Sequence, residues 1–176
     1  MFDLYLLYVI IEYAKEDRTL KEKVGIIAFS WGFGGRVDPC NERLARAAQR
    51  AVWLLSEHGY IPIVVAQIEV SQYLSDVEHV VRQSINTGAY LGTEEVAYQA
   101  ADVFVRHGVR RVVVIANPFL HLRKCMRLMR AMNFEVIPFT VGRIGFNSYD
   151  RQWFPRGPLR TIAYAIAQKF FGLHGA

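Results

Sequence analysis

The chain has 176 residues, 52% hydrophobic and 21% charged, which excludes a disordered protein and fits one domain with a sizeable core. Its formal charge of +5 is spread among acids along most of the chain, so nucleic-acid binding is a minority reading carried by Arg123, Lys124, Arg127 and Arg130 on one helix. Two cysteines, Cys40 and Cys125, are too few for a disulfide framework, and no metal-ligand spacing is present.

Residues 1–23 read as an N-terminal helix or extension, with a strand over Leu4 to Tyr13 as the other reading. Leu4 to Ile11 is a continuous apolar run bracketed by Asp3 and Glu12. Eight residues cannot span a bilayer and no basic region precedes them, so the expected location is the cytoplasm. Val24 to Ser30 reads as a fully buried first strand that breaks at Gly32, Gly34 and Gly35. Asp38 and Pro39 supply the cap and first position of a long helix running to about His58, with Leu44, Ala47, Ala51 and Leu54 on its apolar stripe and Gly59 ending it.

A second strand lies within Tyr60 to Val70. The polar segment Ser71 to Tyr90 is long for a bare loop and predicts a short helix around Ser75 to Gln83. Thr93 reads as the N-cap of the next helix, with Glu94 and Glu95 in its first turn, where the dipole favours anions. That helix ends at His107-Gly108. The third strand, Val112 to Ala116, meets Asn117-Pro118, read as the N-cap and first position of a helix that carries His121 and Lys124 one turn apart on one face. Phe134 to Val141 reads as a fourth strand, and Gly157-Pro158 opens a last helix through Phe171.

Strands alternating with helices imply a mainly parallel sheet covered on both faces, a three-layer α/β/α domain. Right-handed connections place every strand-to-helix junction at the carboxyl edge of that sheet. The Gly32 to Asp38 loop, Thr93 with Glu95, and Asn117 to Lys124 therefore converge on one cleft, joined by the 142–156 segment with Arg143, Tyr149, Arg151 and Trp153.

The glycines of SWGFGGR free backbone N–H groups to approach a phosphate, and a tight structural turn is an equal reading of them. The loop is neither a dinucleotide fingerprint nor a Walker A sequence, which disfavours NAD and ATP. His121 is the sharpest titratable candidate. On this reading Gly32, Gly34, Gly35, Arg43, Thr93, Asn117 and Lys124 bind an anionic or nucleotide-like small molecule, and His121 and Glu95 orient it or exchange a proton with it. The rival is a non-catalytic interaction module whose exposed aromatics Trp31, Phe33, Tyr149, Trp153 and Phe154 form a partner surface.

The order of these motifs resembles the SanA/ElyC/YdcF-like family: a Gly-rich first turn, Arg43-Leu44 with Gly59, Thr93-x-Glu95, a strand followed by Asn117-Pro118-Phe119-x-His121-x-x-Lys124-Cys125, and Gly157-Pro158-Leu159-Arg160. The resemblance covers about residues 24 to 171 and implies a Rossmann-like domain. It also implies that the Gly-rich loop, Thr-x-Glu and His-x-x-Arg elements wall one cleft, matched here by Thr93, Glu95 and His121 together with Arg43. Lys124 stands where the family has Arg, Cys125 where it has a small residue, Ala66-Gln67-Ile68-Glu69 where it has a Ser-Gly-Gly-like turn, and Thr161 where an acid is common. Membrane-anchored relatives act in cell-envelope biogenesis, and a soluble relative is associated with S-adenosylmethionine, which makes that cofactor a candidate.

Overall fold

A computed structural model describes residues 21–32, 38–74, 79–82 and 91–171. The expected N-terminal helix and the glycines Gly34 and Gly35 lie outside the described residues. Among the described residues, five strands form one parallel sheet: β1 (Lys23–Ala28), β2 (Ile61–Gln67), β3 (His79–Arg82), β4 (Arg111–Ile115) and β5 (Glu135–Ile137), in the order β3-β2-β1-β4-β5. The helices are α1 (Pro39–Glu57), a single turn α2 (Ile68–Ser71), α3 (Thr93–Arg106), α4 (His121–Ala131) and α5 (Pro158–Phe171), the last preceded by a 3₁₀ turn at Phe154–Arg156. The fold is the doubly wound, Rossmann-like α/β architecture.

β1 lies at the centre, paired with β2 through Val24↔Pro62 to Ala28↔Ala66 and with β4 through Val24↔Arg111 to Ala28↔Ile115. Side chains alternate across its two faces. Val24, Ile26 and Ala28 pack with Leu44, Ala48 and Ala51 of α1, whereas Ile27 and Phe29 pack with Ala97, Ala100 and Phe104 of α3 and with Cys125 and Met129 of α4. Burial on both faces explains why VGIIAF reads as an unbroken apolar run. The cap of α1 is as the sequence predicts: Asp38 Oδ1 accepts from Asn41 N at 3.1 Å and Pro39 stands in the first turn. Among the described residues, no helix is long and apolar enough to cross a membrane.

Four local expectations are corrected. The stretch expected to hold a short helix at 75–83 contains strand β3 instead, paired to β2 through Val64↔His79 to Gln67↔Arg82. A four-residue edge strand offers too few alternating positions to register as one in the sequence. The fourth predicted strand shrinks to Glu135–Ile137 and ranks as the fifth. Helix α3 is capped at Gly92 rather than Thr93, which is its first helical residue. Helix α4 starts at His121, not at Pro118: Asn117 Oδ1 accepts from Phe119 N at 2.9 Å, a two-residue side-chain turn that competes with helix, and Leu120 follows with a φ of 65°.

In the centre of the sheet Gly25 packs directly against Phe104. A Cβ built on Gly25 meets Phe104 Cε1 at 2.8 Å, and Phe104 is fully buried. Gly25→Ala is expected to destabilise the protein by about 1–3 kcal/mol through overpacking, read as a lower urea midpoint at unchanged m-value. A midpoint equal to that of the native chain would show that Phe104 yields.

Candidate functional site

Because α1 leaves β1 toward one face and α4 follows β4 on the other, a crevice opens at the carboxyl ends of these neighbouring strands. It holds a cavity of about 520 Å³, within the range of small-molecule sites. Ser30, Trp31 and Gly32 after β1, Gln67 ending β2, Leu91 to Glu94 opening α3, and Leu120, His121, Lys124 and Arg127 of α4 line it. Phe154, Thr161, Tyr164 and Ala165 close it from the C-terminal side.

The floor is held by side chains that reach under the backbone. Ser30 N donates to Gln67 Oε1 at 3.0 Å and Trp31 N to Asn41 Oδ1 at 2.7 Å, so the chain leaving β1 keeps its amides paired without a strand neighbour. Gly32 has a φ of 86°, and a Cβ there would collide with the Asp150 carboxylate. The position accepts glycine for two independent reasons, backbone conformation and space.

His121 sits between Phe29 and Trp31, with ring centroids 5.9 and 5.6 Å away. Nε2 lies 3.3 Å from Thr93 Oγ1, and Nδ1 is buried with no hydrogen-bond partner. Burial, aided by the Lys124 ammonium and opposed by Glu94, lowers the imidazole pKa to about 4. The ring is neutral at physiological pH. It pairs with the Thr93 hydroxyl, and proton exchange at neutral pH would require a ligand that raises its basicity.

The other candidates divide. Thr93, Lys124 and Gly32 line the cavity beside His121. In the Thr-x-Glu motif the acid on the cavity is Glu94, whose Oε1 lies 2.8 Å from Lys124 Nζ, whereas Glu95 is bonded along its own helix, accepting from Gln99 Nε2 at 3.2 Å. Arg43 and Asn117 tether the 142–147 loop: Arg43 Nη1 donates to Ile144 O at 2.7 Å and Asn117 Nδ2 to Gly145 O at 2.9 Å. Neither lines the cavity.

Sequence reasoning did not assign Gln67, Glu94, Arg127, Phe154 and Tyr164 to the cleft: it gave Arg127 to a basic helix face, Phe154 to an aromatic surface and Glu94 to a helix dipole. Gln67 had a signal, a polar residue closing an apolar strand at the sheet's carboxyl edge. Beside it Glu69 has a carboxyl pKa raised by burial, opposed by hydrogen bonds from Ser30 and Gln67. The aromatic set is also rearranged: Trp31 and Phe154 are 4% and 9% exposed and belong to the interior, while Tyr149 and Trp153 are on the surface. Both cysteines are buried and free, and burial holds Cys40 up at about 11. Among the described residues no group of three or more His, Cys, Asp or Glu is placed to hold a metal ion.

A histidine with a folded pKa below its unfolded value contributes stability that is fully present above about pH 6.5 and lost as the pH falls toward 4. The loss attributable to His121 is about 3 kcal/mol. Urea unfolding from pH 7 to 4 should show this slope in the native chain and a shallower one in His121→Phe. An imidazole titrating near 6.5 by NMR would contradict the buried assignment.

No protein-family model matches the chain, and no curated protein matches it.

Proposed function

We propose that the protein binds a small anionic or nucleotide-like ligand in the cleft between β1 and β4. The observation that carries this reading is the convergence of two helix N-termini with two cations on one cavity. Helices α3 and α4 both start without a side-chain cap, and their first residues line the cavity with Lys124 and Arg127. Helix starts carry partial positive charge and, at α3, backbone N–H groups unmatched by a capping side chain, an arrangement that favours phosphate or carboxylate. At α4 the first two amides are already bonded to Phe119 O and Asn117 O, so its contribution is the dipole and the Lys124 and Arg127 side chains.

Lys124 is bound to Glu94, which leaves the Arg127 guanidinium as the stronger anchor for an incoming oxyanion. Trp31, Phe154 and Tyr164 supply flat apolar walls suited to a ring or an alkyl group. His121 and Thr93 would orient the ligand. Glu94 takes the place first given to Glu95. Membership of the SanA/ElyC/YdcF-like family and S-adenosylmethionine as ligand belong to the same proposal, carried by motif order, and a cytoplasmic location is proposed beside them from the short, acid-bracketed apolar run Leu4 to Ile11. If turnover occurs, phosphoryl, glycosyl or methyl transfer are the reaction classes in view.

A second reading, an interaction module presenting aromatic residues, keeps Tyr149 and Trp153 and loses Trp31 and Phe154 to the interior.

Purified protein screened by thermal shift against pyrophosphate, nucleotides, sugar phosphates and S-adenosylmethionine is expected to gain stability with at least one anionic compound, following RT ln(1 + [L]/Kd). Arg127→Ala should weaken that ligand about tenfold or more, the cost of one charge-assisted contact, while Arg46→Ala on the outer face of α1 should not. A panel with no shift, or a shift unchanged by Arg127→Ala, would move the assignment to the interaction module.

A further inference from the structure

Helix α5 carries an apolar stripe that nothing among the described residues covers. Leu159, Ile162, Ile166 and Phe170 recur at helical spacing and are 80%, 40%, 53% and 70% exposed. The opposite side of the helix is engaged: Tyr164 stacks on Phe154 at 4.3 Å, and Thr161 Oγ1 donates to Phe154 O at 2.7 Å. A contiguous row of this kind on a soluble domain marks a contact surface. Arg160 and Lys169 flank it, and no acid occurs anywhere from residue 151 to residue 171.

We propose that the occupant of this stripe is the chain's own N-terminal segment, Phe2 to Tyr13. Its apolar run Leu4 to Ile11 demands cover of its own, and as a helix it sets Leu4, Leu7, Tyr8 and Ile11 on one face. Charge is complementary. Residues 1–20 hold Asp3, Glu12, Glu16 and Asp17 against Lys15 and Arg18. The acids that bracket the run, Asp3 and Glu12, are nine positions apart, the same interval that separates Arg160 from Lys169 on α5. Acids and bases therefore meet at both ends when the two apolar faces come together.

Chain length allows it. The described chain starts beside β2 and β4, where Glu22 O accepts from Ile61 N at 2.9 Å and the Glu22 carboxylate binds Arg111. The seven residues Ala14 to Leu20 span up to about 25 Å when extended, more than the roughly 20 Å length of a six-residue strand. Tethering keeps the segment at millimolar effective concentration near the stripe, an advantage that neither a second copy nor a lipid surface has. A second copy would also bring together two stripes flanked only by cations. Since Thr161, Tyr164 and Ala165 of α5 wall the cleft, the docked segment braces that wall from outside.

Hydrogen exchange on the full-length chain tests this without any ligand, so its outcome is independent of the cleft assignment. Amides of residues 4–11 are expected to exchange at least tenfold more slowly than in an isolated peptide of residues 1–20. Ile166→Asp and Leu7→Asp should each remove that protection while leaving amides of β1 and β4 unchanged, and Trp53→Asp, on the exposed side of α1, should preserve it. Peptide-like rates at 4–11 in the native chain, or protection indifferent to Ile166→Asp, overturn the proposal. A sedimenting dimer dissociated by Ile166→Asp overturns it in favour of a second copy. Flotation with phosphatidylserine vesicles that Ile166→Asp abolishes overturns it in favour of a lipid surface.

Discussion

Parallel pairing of β1 with β4 is the constraint on which the rest of this structure depends. β1 pairs with the second strand on one side and the fourth on the other, so the chain must reverse its winding direction between them. The helix after β1 covers one face and the helix after β4 covers the other. Two backbones that leave neighbouring strands in opposite directions leave space between them, and that space is the cleft. Its location follows from topology before any side chain is considered.

The cleft's floor is made dependable by polar side chains committed to backbone. Gln67 and Asn41 take the amides of Ser30 and Trp31, each of which would cost about 1–3 kcal/mol if buried unpaired. Arg43 and Asn117 perform the same service for the loop at Ile144 and Gly145, which carries the chain over the sheet edge. Four polar residues near one site are thus committed to architecture; of these Gln67 also lines the cavity, together with Thr93, Glu94, His121, Lys124 and Arg127. The lowered pKa of His121 has the same origin: the ring lies between Phe29 and Trp31, where a charge would lose hydration that the Glu94 carboxylate, paired with Lys124, only partly replaces.

Much of the fold was legible because its signals are local. The unbroken apolar run of β1, the Asp38-Pro39 start of α1 and the Gly59 and Gly108 stops each depend on a few adjacent residues. β3 was illegible because its strand character derives from the exposed edge of β2, a partner fifteen positions away in the register Val64↔His79. The start of α4 was misjudged because Asn117 had two local options, cap or side-chain turn, and Gly145 O, far along the chain, selected the second. The placement of His121, Thr93, Lys124 and Gly32 around one cavity was legible from junction geometry. That Glu94 rather than Glu95 faces the cavity was not legible, because both stand in one helical turn and only the position of Lys124 distinguishes them.

Taken by itself, the sequence determined that this is an α/β domain, which junctions meet at the carboxyl edge, and that His121 and Lys124 share a helix face there. These are consequences of periodicity, caps and connection handedness, all readable within a few residues. Only the tertiary structure decided that the imidazole packs against Phe29 and Trp31 with its pKa lowered, that Arg43 and Asn117 hold a loop, and that the C-terminal helix both walls the cleft and carries an apolar stripe that no other described residue covers. Burial and pairing belong to groups brought together from distant parts of the chain, and no local pattern specifies which partner arrives.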